Sequence, residues 1–246
     1  MNFVGMLVLA LFIGGIIVYA TIGRRWPAFF RPIPGYDNLG KAIERAVEAG
    51  ERVHVSLGTG SVIGSDCAPA LAGLTMVSKI AEMTSASDRP VVVTAGDAAM
   101  ALLAQDTLRS TYNRINASES YSPDAGRMLG PTPFSYIANL PVLLDTEKVS
   151  VHVLAGSFGY EGALAVDFGN RQQTFSLAGT DDVQSQALIY VTAEDPLIGE
   201  ELFAAGAYLD QHPIHRAGLR VQDLIRMIII GAILAGTILR TIGAFS

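Results

Sequence analysis

The chain is apolar at both ends. Residues 3–22 carry no charged side chain, and a second apolar run fills residues 227–246, interrupted only by Arg240. A hydrocarbon core about 30 Å thick needs roughly 20 helical residues to cross it, and each end supplies about that many. Such ends must lie in lipid, be covered by protein, or be cleaved off. A cleaved signal peptide needs a basic leading region and a shorter apolar core; residues 1–22 show neither. The expectation is a transmembrane helix over 1–23, a juxtamembrane linker over 24–36, a globular domain over 37–211, a connector over 212–226 and a second transmembrane helix over 227–246.

Charge placement gives an orientation. Arg24, Arg25 and Arg31 follow the first run, and Arg216, Arg220 and Arg226 precede the second. Arginine beside a span is retained on the cytoplasmic side, so the domain is expected in the cytoplasm with both termini outside. Trp26, Phe29 and Phe30 suit the headgroup layer. Small residues recur four apart in both runs, at Ala10 and Gly14, Gly231 and Ala235, and Ala232 and Gly236. That spacing lets helix backbones approach closely in lipid, within one chain or between copies.

The central residues are of ordinary globular composition and number enough for one α/β domain. A net charge of −6 argues against nucleic acid as a partner, which would want a basic face. The single cysteine, Cys67, excludes an internal disulfide and a cysteine-based zinc site, and fits a reducing compartment.

Within the domain, short apolar runs end in turns rich in Gly, Thr, Ser or Asp. They lie at 53–57 (VHVSL), 91–94 (VVVT), 149–154 (VSVHVL), 174–177 (TFSL) and 187–191 (ALIYV). Helical stretches are expected at 38–49, 66–83, 97–115, around 161–166, and 196–210. Continuous apolar runs suit strands covered on both faces, and strands alternating with helices imply right-handed crossovers. The fold class is α/β, an open, mostly parallel sheet of about five strands with helices on both faces, plus two terminal transmembrane helices. Residues 116–148, with four prolines, read as an insertion or long loop.

Ligands of such sheets sit outside the carboxyl ends of the strands, where the strand order reverses. The candidate there is Gly58, Thr59, Gly60, Ser61 and Gly64, with Asp97 after the next strand. Its spacing is G-x-G-x-x-x-G, neither the dinucleotide G-x-G-x-x-G nor a lysine-bearing P-loop. Two readings stay open: a structural turn with Asp97 capping its own helix, or a seat for an unidentified nucleotide or anion. His54 and His152 hold matching places in two Val-His-Val strands, where a hydrogen bond beneath a covering helix is expected. His212 and His215 fall in the connector. Ser157 and Glu161 lack a G-x-S-x-G elbow. No catalytic residue, metal ligand or cofactor is assigned.

Two segments, the strand and turn at 53–60 and residues 194–209 (EDPLIGEELFAAGAYL), resemble an uncharacterised family of bacterial membrane proteins described as a domain of unknown function. The resemblance covers most of the chain. It implies a bacterial cytoplasmic-membrane protein with an α/β domain between two transmembrane helices, and it carries no activity or site residue. The expected function is a non-enzymatic structural or assembly component, a homo-oligomer or part of a larger membrane complex at the cytoplasmic face. The alternatives are a nucleotide- or anion-binding sensor using the Gly58–Gly64 turn and, behind it, a membrane-bound hydrolase or transferase.

Overall fold

The computed structural model describes residues 3–21, 30–64, 66–210 and 212–241. Two compact units are present, one formed by Met1–Arg31 with Asp210–Ser246 and the other by Pro32–Leu209. Of the residues used above, Ile22, Arg24, Arg25, Trp26, Phe29 and the end of the second apolar run, 242–246, lie outside the described residues.

The terminal unit pairs helix α1 (Phe3–Thr21) with helix α9 (Pro213–Thr241). Two terminal spans were expected, and the structure corrects this to one. Among the described residues, only α9 is both long and apolar enough to cross a membrane, while the apolar helix Gly5–Thr21 falls below that length. The reason lies partly in α9 itself. Its helix starts at Pro213, well before Met227, so the arginine-bearing connector and the apolar run form one rod of 29 residues.

The central unit holds six strands: β1 (Arg52–Gly58), β2 (Val92–Ala95), β3 (Gly126–Met128), β4 (Val149–Ser157), β5 (Phe175–Gly179) and β6 (Asp195–Leu197). They form one sheet in the order β3-β2-β1-β4-β5-β6, with every pairing parallel. That order is the Rossmann-like one, and it reverses between β1 and β4. On one face lie helices α2 (Pro34–Ala49), α3 (Cys67–Met83) and α4 (Ala98–Arg114). On the other lie α5 (Pro133–Thr146), α6 (Glu161–Arg171) and α7 (Val183–Thr192), and the short helix α8 (Ala205–Tyr208) rests on α3.

Local chemistry accounts for most of these elements. In α2, buried Tyr36, Leu39, Ala42, Ile43 and Ala46 recur at the three-to-four spacing of an amphipathic helix. Pro34 sits in its first turn, and Gly50 ends it at φ +66°, a conformation that favours glycine. Val53, Val55 and Leu57 of β1 and Val151 and Val153 of β4 are buried beneath α2 and α3. Beneath α5 and α6, Leu154, Phe158, Ile137, Leu140 and Leu144 join one apolar cluster.

Three further expectations are corrected. Residues 187–191 are not a strand but lie within α7, which Asp182 caps by accepting a hydrogen bond from the Ser185 N–H at 2.8 Å. The span 116–148 is no loop: it supplies edge strand β3 and helix α5, the latter capped by Thr132. Residues 196–210 are not one helix either. They begin in β6, pass through a 3-10 segment (Gly199–Ala204) and end in α8. Tyr36 donates to the Glu201 carbonyl at 2.5 Å and stacks on Tyr208, and Asn38 donates to the Asp195 carboxylate at 3.0 Å. Those bonds fold the segment around the start of α2.

Candidate functional site

The switch point brings together the turns after β1, β2 and β4. Gly58 has φ +72°, and a Cβ there would stand 2.1 Å from the Ser157 carbonyl oxygen. Glycine is therefore required twice over, by conformation and by space. The Thr59 N–H donates to that same oxygen at 3.1 Å, and the Gly96 N–H donates to the Gly58 carbonyl at 2.8 Å. The Gly64 N–H turns back to the Ser61 carbonyl at 3.1 Å. The first two of these bonds tie the start of the turn to β4 and to the turn after β2.

Gly60 is buried, and a Cβ on it would lie 2.6 Å from the Asp66 carbonyl oxygen. The Asp66 carboxylate closes over Gly64, whose Cβ would meet Oδ1 at 2.1 Å. This acid at the start of α3 was not singled out in the sequence, and it works against an anion there. Pro69, in the first turn of α3, removes one of the N–H groups that a phosphate would use. Asp97 Oδ1 accepts from the Met100 N–H at 2.9 Å and caps α4. The structure thus gathers Gly58, Thr59 and Gly60 against Gly96 and Ser157, leaves Ser61 and Gly64 in the short loop before α3, and turns the Asp97 carboxylate to its own helix.

A second constellation lies within the sheet, beneath α5 and α6. The parallel register sets His54 opposite His152, with ring centroids 5.0 Å apart and both side chains fully buried. His54 Nε2 shares a hydrogen bond of 2.9 Å with Thr94 Oγ1. The Tyr136 hydroxyl reaches from α5 to Thr94 Oγ1 and, at 2.5 Å, to Ser56 Oγ. Burial pushes the Tyr136 hydroxyl up to about 12 despite those two bonds. Burial also holds both imidazoles neutral. His152 is pushed down to about 3, and His54 lies well below its ordinary value, through burial first and its neighbour His152 second. Among the described residues, both ring nitrogens of His152 and Nδ1 of His54 have no partner. Gly169 of α6 permits this closeness, since a Cβ there would stand 3.1 Å from His152 Nδ1.

The sequence displayed the two histidines in matching strands but not their pairing, and Tyr136, Ser56 and Thr94 were not singled out in it. A signal was available. Polar residues at 54, 56, 94, 152 and 176 alternate with apolar ones along their strands, so they share one sheet face. The arrangement is a closed polar seam, and no substrate can reach it without α5 or α6 moving.

An open groove of about 520 Å³ lies at the opposite, amino-terminal edge of β4 and β5, lined by Arg45, Glu51, Ser150, Asn170, Thr174 and Glu194 among others. It is far from the switch point along the strands and mixes both signs of charge. Among the described residues no group of three or more His, Cys, Asp or Glu is placed to hold a metal ion.

Over residues 1–246 the chain matches the family described as "Domain of unknown function (DUF6754)", and it belongs to that family. No curated protein and no solved structure matches it.

Proposed function

We propose that this DUF6754 member is a membrane-tethered assembly component, its Rossmann-like domain held at the cytoplasmic face of a bacterial membrane by helix α9, against which α1 packs. The observation that carries this reading is α9, a continuous helix whose apolar length is exposed to its surroundings. Exposed Met6, Leu11 and Ile17 give α1 the same character. In water such surface would be far larger than a monomeric protein tolerates; in lipid it is the expected solvent. The arginines at the domain side of both apolar runs favour the cytoplasm. The first residues of the switch-point turn support a structural role, because the Thr59 N–H and the Gly58 carbonyl are bonded to Ser157 and Gly96.

Alkaline carbonate extraction of membranes, followed by native mass spectrometry of the detergent-solubilised chain, tests the proposal. Retention in the membrane and a discrete multimer are expected. Release by carbonate removes the membrane reading, and a monomer removes assembly.

A second reading, a nucleotide- or anion-binding sensor, is favoured by the strand order alone, which sets the Gly58–Gly64 turn where such sheets bind ligands. Thermal unfolding with millimolar ATP, NAD or inorganic phosphate tests it, and an unchanged midpoint with all three removes it.

A further inference from the structure

In a parallel sheet each helix ends where the next strand begins, so helix carboxyl ends converge at the amino-terminal edge. Here α2, α6 and α7 end at Ala49, Arg171 and Thr192. Asn170 of α6 donates to the Thr192 carbonyl at 2.7 Å, which holds two of those ends side by side. Each end carries about half a negative charge, for which a basic residue in the last turn is the usual complement. Neither α2 nor α7 has one, and α2 carries Glu48 there instead.

The groove of about 520 Å³ lies at this edge, and its volume is that of a small-molecule site. It passes the starts of four neighbouring strands. Glu51 precedes β1, Ser150 and Thr174 stand at the starts of β4 and β5, and Glu194 precedes β6. In the order β1-β4-β5-β6 the two glutamates are three strand spacings apart, about 14 Å across the sheet. The two hydroxyls fall between them. Among the described residues neither glutamate forms an ion pair. Ser150 Oγ and Thr174 Oγ1 are buried without a hydrogen-bond partner, and Thr174 is only 5% exposed. A buried hydroxyl left unpaired is costly, so these two point to a hydrogen-bonding occupant.

The rest of the lining limits what that occupant is. Ala42, Ala46 and Ala49 recur along one side of α2 and, with Phe175, give the groove an apolar wall. Arg45, the cation among the lining residues, turns back along α2, its Nε donating to the Lys41 carbonyl at 3.3 Å. An anion would meet two carboxylates and the helix carboxyl ends. A metal ion would find no cluster of three ligands among the described residues. An organic cation with charge at both ends and methylenes between matches acid, hydroxyls and apolar wall together.

We propose that the groove binds a linear aliphatic diamine or triamine. Its terminal ammonium groups pair with Glu51 and Glu194, its N–H groups donate to Ser150 and Thr174, and its methylenes lie along the α2 alanines. The site is at the opposite edge of the sheet from the switch point, takes a ligand of opposite charge to a nucleotide, and does not depend on the membrane reading.

Isothermal titration of the purified full chain in neutral detergent, with spermidine, 1,4-diaminobutane and n-butylamine as probes, tests it. Spermidine and the diamine are expected to bind at least about tenfold more tightly than the monoamine, which can reach only one glutamate. Glu51→Gln and Glu194→Gln keep side-chain shape at exposed positions, and each should weaken spermidine about threefold, the pair at least about tenfold. Thr174→Val removes the buried hydroxyl and should weaken it about threefold. Asp106→Asn, a matched change of charge on α4, should leave binding as in the wild type. The proposal is overturned if spermidine does not bind at millimolar concentration, if n-butylamine binds as tightly, or if Asp106→Asn loses as much as either glutamate variant. Unchanged binding in the double glutamate variant or in Thr174→Val overturns it as well.

Discussion

Acid should weaken the domain through two residues, and the amount follows from their burial. His54 and His152 are fully buried and neutral in the folded state, whereas an unfolded histidine takes up a proton near pH 6.5. Between that value and about 3, where His152 itself titrates in the fold, the unfolded chain binds a proton that the native chain refuses. Stability therefore falls as pH falls, by about 1.4 kcal/mol per pH unit for each such histidine. From pH 7 to pH 5 the loss is about 2 kcal/mol for one residue and about 4 for both, a large share of a typical total of 5–15 kcal/mol. Substitution His152→Leu should remove about half of that dependence, and His54→Leu with His152→Leu nearly all of it. The assay is urea unfolding of the full chain in lipid nanodiscs, read by pulse proteolysis at both pH values. Differences between variants cancel every other titrating group. A double variant that loses as much stability as wild type between pH 7 and pH 5 refutes the reasoning, as does an imidazole NMR signal from either residue titrating near 6.5 in the native state.

Other substitutions probe the switch point and the sheet with the same assay at neutral pH. Gly58→Ala places a side chain at positive φ and against the Ser157 carbonyl, and should cost about 3 kcal/mol or more; a loss below about 1 kcal/mol would contradict the packed turn. Asp97→Ala should cost about 1 kcal/mol, the worth of a helix cap, and leave the mass of the detergent particle unchanged. Tyr136→Phe strands the buried Ser56 hydroxyl, leaves Thr94 with His54 alone, and should cost about 1–3 kcal/mol. Glu147 accepts from both Arg52, at 2.5 Å, and Arg127, at 2.7 Å, while only 17% exposed. Glu147→Gln should cost about 2 kcal/mol, less than a fully buried pair because Arg127 remains partly solvated, and high salt should shrink the difference.

The turn at the switch point shows how a motif can be legible while its use is not. Glycines at 58, 60 and 64 mark a tight turn after an apolar strand, and turn and strand are both present. Whether the turn is open to a ligand depends on the Ser157 carbonyl, Gly96 and Asp66, which reach it from β4, β2 and the start of α3. None of those distances is written in local spacing. Asp97 is the same case. An aspartate after a strand suits a ribose or a helix end equally, and the structure shows the cap: Oδ1 accepts from the Met100 N–H.

Strands 53–57 and 149–154 were readable because burial on both faces demands unbroken apolar runs, and a sheet flanked by helices demands their alternation with helical stretches. The run 187–191 misled because five apolar residues fit a buried strand or one flank of a helix equally well; the Asp182 cap and the β6 edge that follows settled it as α7. Strand β3 left no trace, since three residues at an edge are held by backbone hydrogen bonds to β2 and not by their side chains. By itself, then, the sequence determined the apolar ends, the α/β alternation and the glycine turn, all of which follow from local patterns of hydropathy and backbone freedom. Tertiary structure alone decided that His54 meets His152, that Gly58 packs against the Ser157 carbonyl, and that Gly15 of α1 lies against Val221 of α9. Those outcomes depend on strand register and helix facing, which bring together groups far apart in the chain.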